Sequence, residues 1–234
     1  MSILECRALT KNYGKVEALK SIDLSLDSGR IVGLVGPNGS GKTTLIKLAQ
    51  RLLTPSEGLI TIAGLEPGPE TKAIVSYLPD RDFLPQWMNL DELMLFYHDF
   101  FPDFNPAKAA QMLESLSVTG KMALGKMSKG TREKVQLIFT MSRDAQVYLL
   151  DEPIAGVDPA TREYILRTIL GNYSENALVL ISTHLITDVE PILDEVVFLQ
   201  NGTIALHENA DALRERTGQS IDGYFREVYR CWGN

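Results

Sequence analysis

The sequence predicts an α/β protein: a mixed, largely parallel sheet, an antiparallel β part near the N-terminus and an inserted α-helical lobe. Three observations lead there. From about residue 144, strand-like and helix-like patterns alternate: "VYLLD", a helix over 159–171, "ALVLIST", a short helix, "EVVFLQ" and "TIALH". Such alternation is the pattern of a layered α/β sheet. The run "RIVGLVG" at 30–36 is nearly all apolar, as expected of a strand covered on both faces. Residues 83–118 differ in character, holding five of the eight Phe, one Trp and one Tyr, broken by Pro85, Pro102 and Pro106.

Taken in order, Ile3–Leu9 and Ile22–Leu26 read as strands, followed by the buried strand at 30–36. A helix over Thr43–Leu53 follows a glycine-rich turn, Thr54-Pro55 and Gly58 end it, and "LITI" at 59–62 is another strand. Two helices fit the aromatic segment, at about 89–101 and 106–117. With 234 residues, one domain over 1–234 is expected. Within it, 1–82 and 144–207 form the core with its β part, 83–143 the helical lobe and 208–234 a short C-terminal tail. No repeat, low-complexity tract or linker interrupts it.

The composition is 44% hydrophobic and 23% charged, with a formal net charge of −7. That acidity argues against broad, sequence-independent nucleic-acid binding, and no nucleic-acid partner is expected. Cys6 and Cys231 lie at opposite ends without metal-ligand spacing and read as reduced thiols. "MSILECRALTK" lacks the basic-then-apolar order of a leader. The purest apolar run, "ALVLI" at 177–181, is far short of the roughly 20 residues that span a bilayer. The chain is expected to reach a membrane only through a partner.

"GPNGSGKTT", from Gly36 and Pro37 through Asn38, Gly39, Ser40, Gly41, Lys42 and Thr43 to Thr44, fits G-x-x-x-x-G-K-[ST] between a buried strand and a helix. Phosphates need that context: glycines let backbone N–H groups turn inward, and the helix N-terminus adds its dipole. Lys42 would bridge the β- and γ-phosphates and Thr43 would place its hydroxyl on Mg²⁺. The loop alone leaves GTPases, kinases, helicases and transport ATPases open.

"VYLLDEP" ends an apolar strand with two carboxylates. Ligands of open α/β sheets bind at the carboxyl ends of strands. Asp151 would therefore hold Mg²⁺, directly or through water, and Glu152 would orient and deprotonate the attacking water. His184 ends the next apolar strand in "LISTHL", a place that favours contact with a γ-phosphate.

The order P-loop, helical insertion, "MSKGT", "YLLDEP", "AGVD", "STH" covers nearly the whole chain and resembles the nucleotide-binding subunit of an ATP-binding cassette (ABC) transporter. The resemblance implies an ATPase that uses ATP and Mg²⁺ on a P-loop NTPase core. In that family Leu-Ser-Gly-Gly-Gln binds the γ-phosphate held by the opposite subunit. Here it maps onto Met127, Ser128, Lys129, Gly130 and Thr131. Asp158 matches the aspartate at the interface between the two sites, and Tyr13, in "KNYGK", matches the aromatic that stacks on adenine. From the residues alone Tyr13 could equally be a surface tyrosine.

Two departures stand out. Where the family usually has Tyr-Leu-Pro-Gln, this chain reads "SYLPDRDF", with Asp80 in place of glutamine. Asp80 could ligate Mg²⁺, pair with Arg81 or swing away until a partner docks. Gln86 lies six residues too late, so Asp80 is preferred, along with Thr43 and Asp151, as metal ligand. Secondly, Lys129 and Thr131 replace a glycine and a glutamine in a stretch (121–143) holding six Lys or Arg and one acid, Glu133. Ser128 can cap the following helix and Gly130 permits close approach.

The reading is an ATPase subunit working as a dimer around two ATP. Each site would take the P-loop, Asp151, Glu152 and His184 from one chain and Ser128, Lys129, Gly130 and Asp158 from the other. A second ATPase subunit, identical or not, and an integral membrane transport subunit are the expected partners. The aromatic lobe, with Trp87, Phe96, Phe101 and Phe104, is the docking surface expected for the membrane subunit. Such a chain would sit on the cytoplasmic face of the cell membrane and serve an exporter. Two rivals are a soluble cassette ATPase acting on ribosomes or DNA, and a non-hydrolysing regulatory cassette.

Overall fold

The computed structural model describes residues 2–116, 118 and 120–230; Cys231 lies outside them. The chain opens with two twelve-residue strands, β1 (Ser2–Tyr13) and β2 (Val16–Asp27), whose inward positions alternate with outward ones. Gly14, at φ 60°, turns between them in the left-handed region that favours glycine. Both strands run past the apolar stretches that mark them in sequence, because polar residues occupy their solvent-facing positions. β4 (Glu57–Ile62) pairs with β1, giving an antiparallel sheet in the order β2-β1-β4 once β3 (Arg30–Val35) and α1 (Lys42–Ala49) have intervened.

Next come α2 (Pro69–Ile74), β5 (Val75–Leu78), α3 (Leu90–Phe100), α4 (Pro106–Glu114), α5 (Lys129–Met141), β6 (Val147–Asp151) and α6 (Pro159–Asn172). β7 (Leu178–Thr183), α7 (Ile186–Val189), β8 (Glu195–Gln200), β9 (Thr203–Asn209), α8 (Ala210–Thr217) and α9 (Ile221–Arg230) complete the chain. The second sheet has the order β5-β6-β7-β3-β8-β9, parallel throughout except for β8 against β9. Every residue of β6 and β7 is buried, as a sheet covered on both faces demands. One apolar layer joins this sheet to β1, β2 and β4; another lies beneath α6 and the C-terminal helices.

Register decides where the polar groups go. Val35 lies opposite Thr183, and Asp151 opposite Ser182. β3, β6 and β7 therefore end level, and the loops that leave these strands emerge at one sheet edge.

The segment 83–143 has its own apolar cluster, including Leu90, Leu93, Tyr97, Phe104, Val135 and Phe139. Its helices begin at side-chain caps. Asn89 accepts from the Glu92 N–H at 2.9 Å and Glu92 returns the bond; Asn105 and Ser128 cap α4 and α5. Phe104, read from sequence as a docking aromatic, is only 7% exposed, and Phe96 and Phe101 pack on the same cluster. Trp87 (74% exposed), Phe100 and Leu95 face outward instead. Aromatic content alone does not separate these roles, because both depend on where each ring falls on its helix.

The stretch after 208, read as a short tail, is α8 and α9 from 210 to 230. Phe225 and Tyr229 pack on Phe198 of β8, and Glu190 accepts from the Ile221 N–H at 2.8 Å at the start of α9.

One buried cation joins lobe to core. Arg143, 4% exposed, donates to both carboxylate oxygens of Asp103 (2.8 and 2.9 Å) and to the carbonyls of Val75, Lys72 and Ala73. Its guanidinium also lies 4.3 Å from the Phe101 ring centroid. We expect Arg143→Ala to cost about 3–5 kcal/mol, the usual penalty for stranding one partner of a buried pair. Arg143→Lys should recover little, because an ammonium cannot reproduce the planar fork. Urea denaturation of the two variants checks both expectations.

Candidate active site

The loop 36–41 leaves the end of β3 and delivers Lys42 as the first residue of α1. Its backbone admits no larger residue at two points. A Cβ at Gly36 would sit 2.2 Å from the Leu199 carbonyl oxygen, and Gly41 holds φ 113° with the Ala18 carbonyl oxygen 2.7 Å from where a Cβ would stand. Pro37, Asn38 and Gly39 form the exposed rim, and Thr44 follows in α1.

Lys42 is buried. Its Nζ donates to the Gly36 carbonyl at 2.8 Å and the Pro37 carbonyl at 3.4 Å, and lies 3.5 Å from Glu152 Oε1. The ammonium is thus drawn across the loop toward the acid pair, held by groups that a phosphate can replace.

Asp151 is fully buried at the end of β6. Its Oδ1 accepts from Thr43 Oγ1 at 3.2 Å and from Ser182 Oγ at 2.5 Å, while Oδ2 has no partner. Burial pushes its carboxyl above the usual range; the two hydroxyls pull it back, and the charges of Asp80 and Glu152 raise it further. Among the described residues, four buried side-chain polar atoms have no partner, and two of them, Ser40 Oγ and Asp151 Oδ2, lie here. Buried polar atoms are normally satisfied, and two of the four exceptions fall in this one site.

Glu152 comes next in the chain, at φ 51°, a conformation rarely held by a non-glycine residue and commonest at functional sites. Its N–H donates to the Ser182 carbonyl at 3.0 Å. The side chain then reaches back, Oε2 to His184 Nδ1 at 2.9 Å and Oε1 to Lys42. Lys42, Thr43, Asp151, Glu152 and His184 are therefore brought into one contiguous network. Ser182 belongs to it and was missed from sequence; its signal was its place in "LISTH", two residues before His184, on a strand in register with β6.

Asp80 is exposed just beyond β5 and lines, with Glu152, Lys129 and Arg132, a cleft of about 350 Å³. No three carboxylate, histidine or cysteine side chains among the described residues converge to cage a metal unaided. Magnesium commonly binds through one or two carboxylates plus substrate phosphates. The hard oxygens of Asp151 and Thr43 fit that cation.

The other predicted residues lie apart from this network. Tyr13 is half exposed at the end of β1, with Lys11 Nζ 5.4 Å from its ring centroid. Ser128 is exposed at the start of α5, its Oγ 2.8 Å from Thr131 Oγ1. Lys129 points outward, 3.6 Å from Glu133. A Cβ at Gly130 would meet only Thr161 Oγ1, at 3.8 Å, so packing within this chain does not call for glycine in a helix that it weakens. Asp158 caps α6, accepting from the Thr161 N–H at 3.0 Å and from its hydroxyl at 2.6 Å, bonds that pull its carboxyl below the usual range.

A largely parallel sheet with a glycine-rich phosphate loop at the end of β3 and an acid pair level with it defines a P-loop ATPase domain. A family model described as ABC transporter matches residues 19–155, and the chain belongs to that family as an ATP-binding, ATP-hydrolysing cassette. It is similar to the ABC transporter ATP-binding protein YtrB of Bacillus subtilis (strain 168), at 26% identity over 91% of this chain and 74% of that one. It is also similar to the daunorubicin resistance ATP-binding protein DrrA3 of Streptomyces coeruleorubidus, at 30% identity over 93% and 72%. A solved structure of an ATP-binding subunit of an ABC transporter superposes with a TM-score of 0.86 at 27% identity, covering 97% of this chain and all of that one.

Asp151 also yields a pH test. A carboxyl raised in the folded state destabilises the nucleotide-free protein once it ionises, so stability falls as pH rises through its folded value. Asp151→Asn should therefore melt higher than the parent at pH 8, by about 2–4 °C for each kcal/mol relieved. The gap should close in acid, where the parent carboxyl is protonated. Melting curves of the two proteins from pH 4 to 8 check this.

Proposed function

We propose that this cassette is one of two ATPase subunits that close around two ATP and drive a membrane transport partner, an exporter. The observation that carries the reading is the network of Lys42, Asp151, Glu152 and His184 at a single sheet edge. Such an arrangement hydrolyses a phosphoanhydride; a merely regulatory cassette has no use for it.

On this reading Lys42 exchanges the carbonyls of Gly36 and Pro37 for β- and γ-phosphate oxygens. The N–H groups of the loop from Gly36 to Thr44 and the α1 dipole complete the cradle. Thr43 and Asp151 would hold Mg²⁺, with Asp80 as a further ligand; the cation, when bound, would neutralise charge on the phosphates. Glu152 orients the attacking water and accepts its proton, and His184 holds the Glu152 carboxylate in line. Tyr13 stacks on the adenine with the face that Lys11 leaves open.

Ser128, Lys129, Gly130 and Asp158 are unused by the chain's own network, and Gly130 is bare without an internal reason. These features support their service to the partner's ATP. The γ-phosphate then contacts both chains, and hydrolysis releases them. We expect Glu152→Gln to bind ATP, to lose about 10²–10⁴ in turnover, and to accumulate as a closed dimer. Light scattering in saturating Mg-ATP checks this; a monomer would overturn the shared site.

No helix among the described residues is long and apolar enough to cross a membrane; on this reading a membrane transport subunit supplies the path. The outward Trp87, Leu95 and Phe100 of the lobe 83–143 support docking there. The cassette would then sit peripherally on the cytoplasmic face. The resistance function in the printed name of one relative supports export. Asp80 is near enough to influence the Asp151 carboxyl, which supports its metal-side role. Asp80→Asn and Asp80→Gln should each shift the Mg²⁺ concentration giving half-maximal ATPase; titrations that superpose on the parent would remove Asp80 from the site.

A further inference from the structure

Beyond β5 the chain runs through Asp80 into the lobe, and α5 grips it within three residues. Asp82 Oδ2 accepts from Arg132 Nε at 2.8 Å. The N–H of Phe83 donates to Gln136 Oε1 at 2.9 Å, and Gln136 is 4% exposed. Arg132 and Gln136 are one turn apart and so share a face of α5, and that face holds the segment that has just passed Asp80.

The same guanidinium reaches the other way. Arg132 Nη1 donates to the Met127 carbonyl at 2.6 Å. Met127 immediately precedes Ser128, whose hydroxyl accepts from the Thr131 N–H and caps α5. Arg132 thereby joins the carbonyl beside the cap to the carboxylate two residues after Asp80. It does so along the wall of the cleft that Asp80, Glu152 and Lys129 also line. Arg132 serves the two acceptors from two different nitrogens of its rigid fork, Nε and Nη1, a spread that the single nitrogen of lysine does not have. The pair is half-buried, so solvent screens it only in part.

We propose that Arg132, held by Asp82, is a positioning residue that couples a chain's own nucleotide site to the Ser128–Gly130 end it presents to the partner's ATP. The inference rests on the dimeric reading of the cassette. Its content is a coupling free energy between two sites through an element both of them bias. When nucleotide fills one P-loop and draws the Asp80 segment inward, the strut carries the N-terminus of α5 with it. The opposite site is then completed. Without the strut each site still binds, but one no longer prepares the other.

The test uses the full chain carrying Glu152→Gln, so that hydrolysis does not disperse the dimer. Dimer fraction is followed by light scattering against Mg-ATP concentration. Single-chain ATP affinity is measured separately at chain concentrations too low for dimers. In the parent the dimer should form with a Hill coefficient above 1. Asp82→Asn and Arg132→Gln should each leave that steepness, which two ATP per dimer already impose, and raise the ATP needed for half-dimerisation by about 5–150-fold, the usual range of such couplings. Single-chain affinity and melting temperature should stay at parent values. The double variant should do no more than either single one, since both remove one link, and Arg132→Lys should not rescue.

An unchanged ATP requirement for half-dimerisation in both single variants would overturn the proposal. So would single-chain affinity falling in step with dimerisation, because Arg132 would then belong to the binding site, and so would a matching loss of melting temperature, which would make it a brace for the fold. A parent that does not dimerise with ATP would overturn the dimeric reading itself, and this inference with it.

Discussion

The structure depends on one constraint: three parallel strands buried on both faces must end level. A strand so placed tolerates almost no polar side chain along its length, so the chemistry is displaced to the point where burial stops. Register then fixes relative position. With Val35 opposite Thr183 and Asp151 opposite Ser182, the phosphate loop, the acid pair and the histidine can only meet. Nothing else in the fold has to bring them together.

Where they meet, the site holds unrelieved electrostatics. Asp151 sits in the sheet with one oxygen unpartnered, Ser40 has an idle hydroxyl, and Glu152 holds a backbone angle that few glutamates adopt. Each feature opposes folding by a modest amount, a cost commonly found where stability is traded for function. Lys42 illustrates the balance. Its present partners are two carbonyls and a carboxylate at 3.5 Å, enough to keep a buried ammonium satisfied yet open to exchange.

Much of this was legible in sequence because it is local. A phosphate loop, an acid pair at a strand end and an apolar run each carry their meaning in a few consecutive residues. The features that were not legible depend on partners distant in the chain. Ser182 looks like any strand serine until register sets it against Asp151. Phe104 and Trp87 look alike until one proves to fill the lobe core and the other to face solvent. The extent of β1 and β2 and the two C-terminal helices were hidden for a related reason: polar outward positions dilute the apolar signal on which a sequence reading relies.

The sequence by itself therefore determined the class of chemistry and the layered α/β class of fold. Both come from residue type and short-range periodicity, which the chain carries wherever it goes. Only the tertiary structure decided which groups act on one another. Arg132 is an ordinary cation in a basic stretch, and Asp82 one of several acids, fifty residues away. Their meeting between the Asp80 segment and the start of α5 is a product of packing. No periodicity encodes it, because the contact energy of so distant a pair depends on every element folded between them.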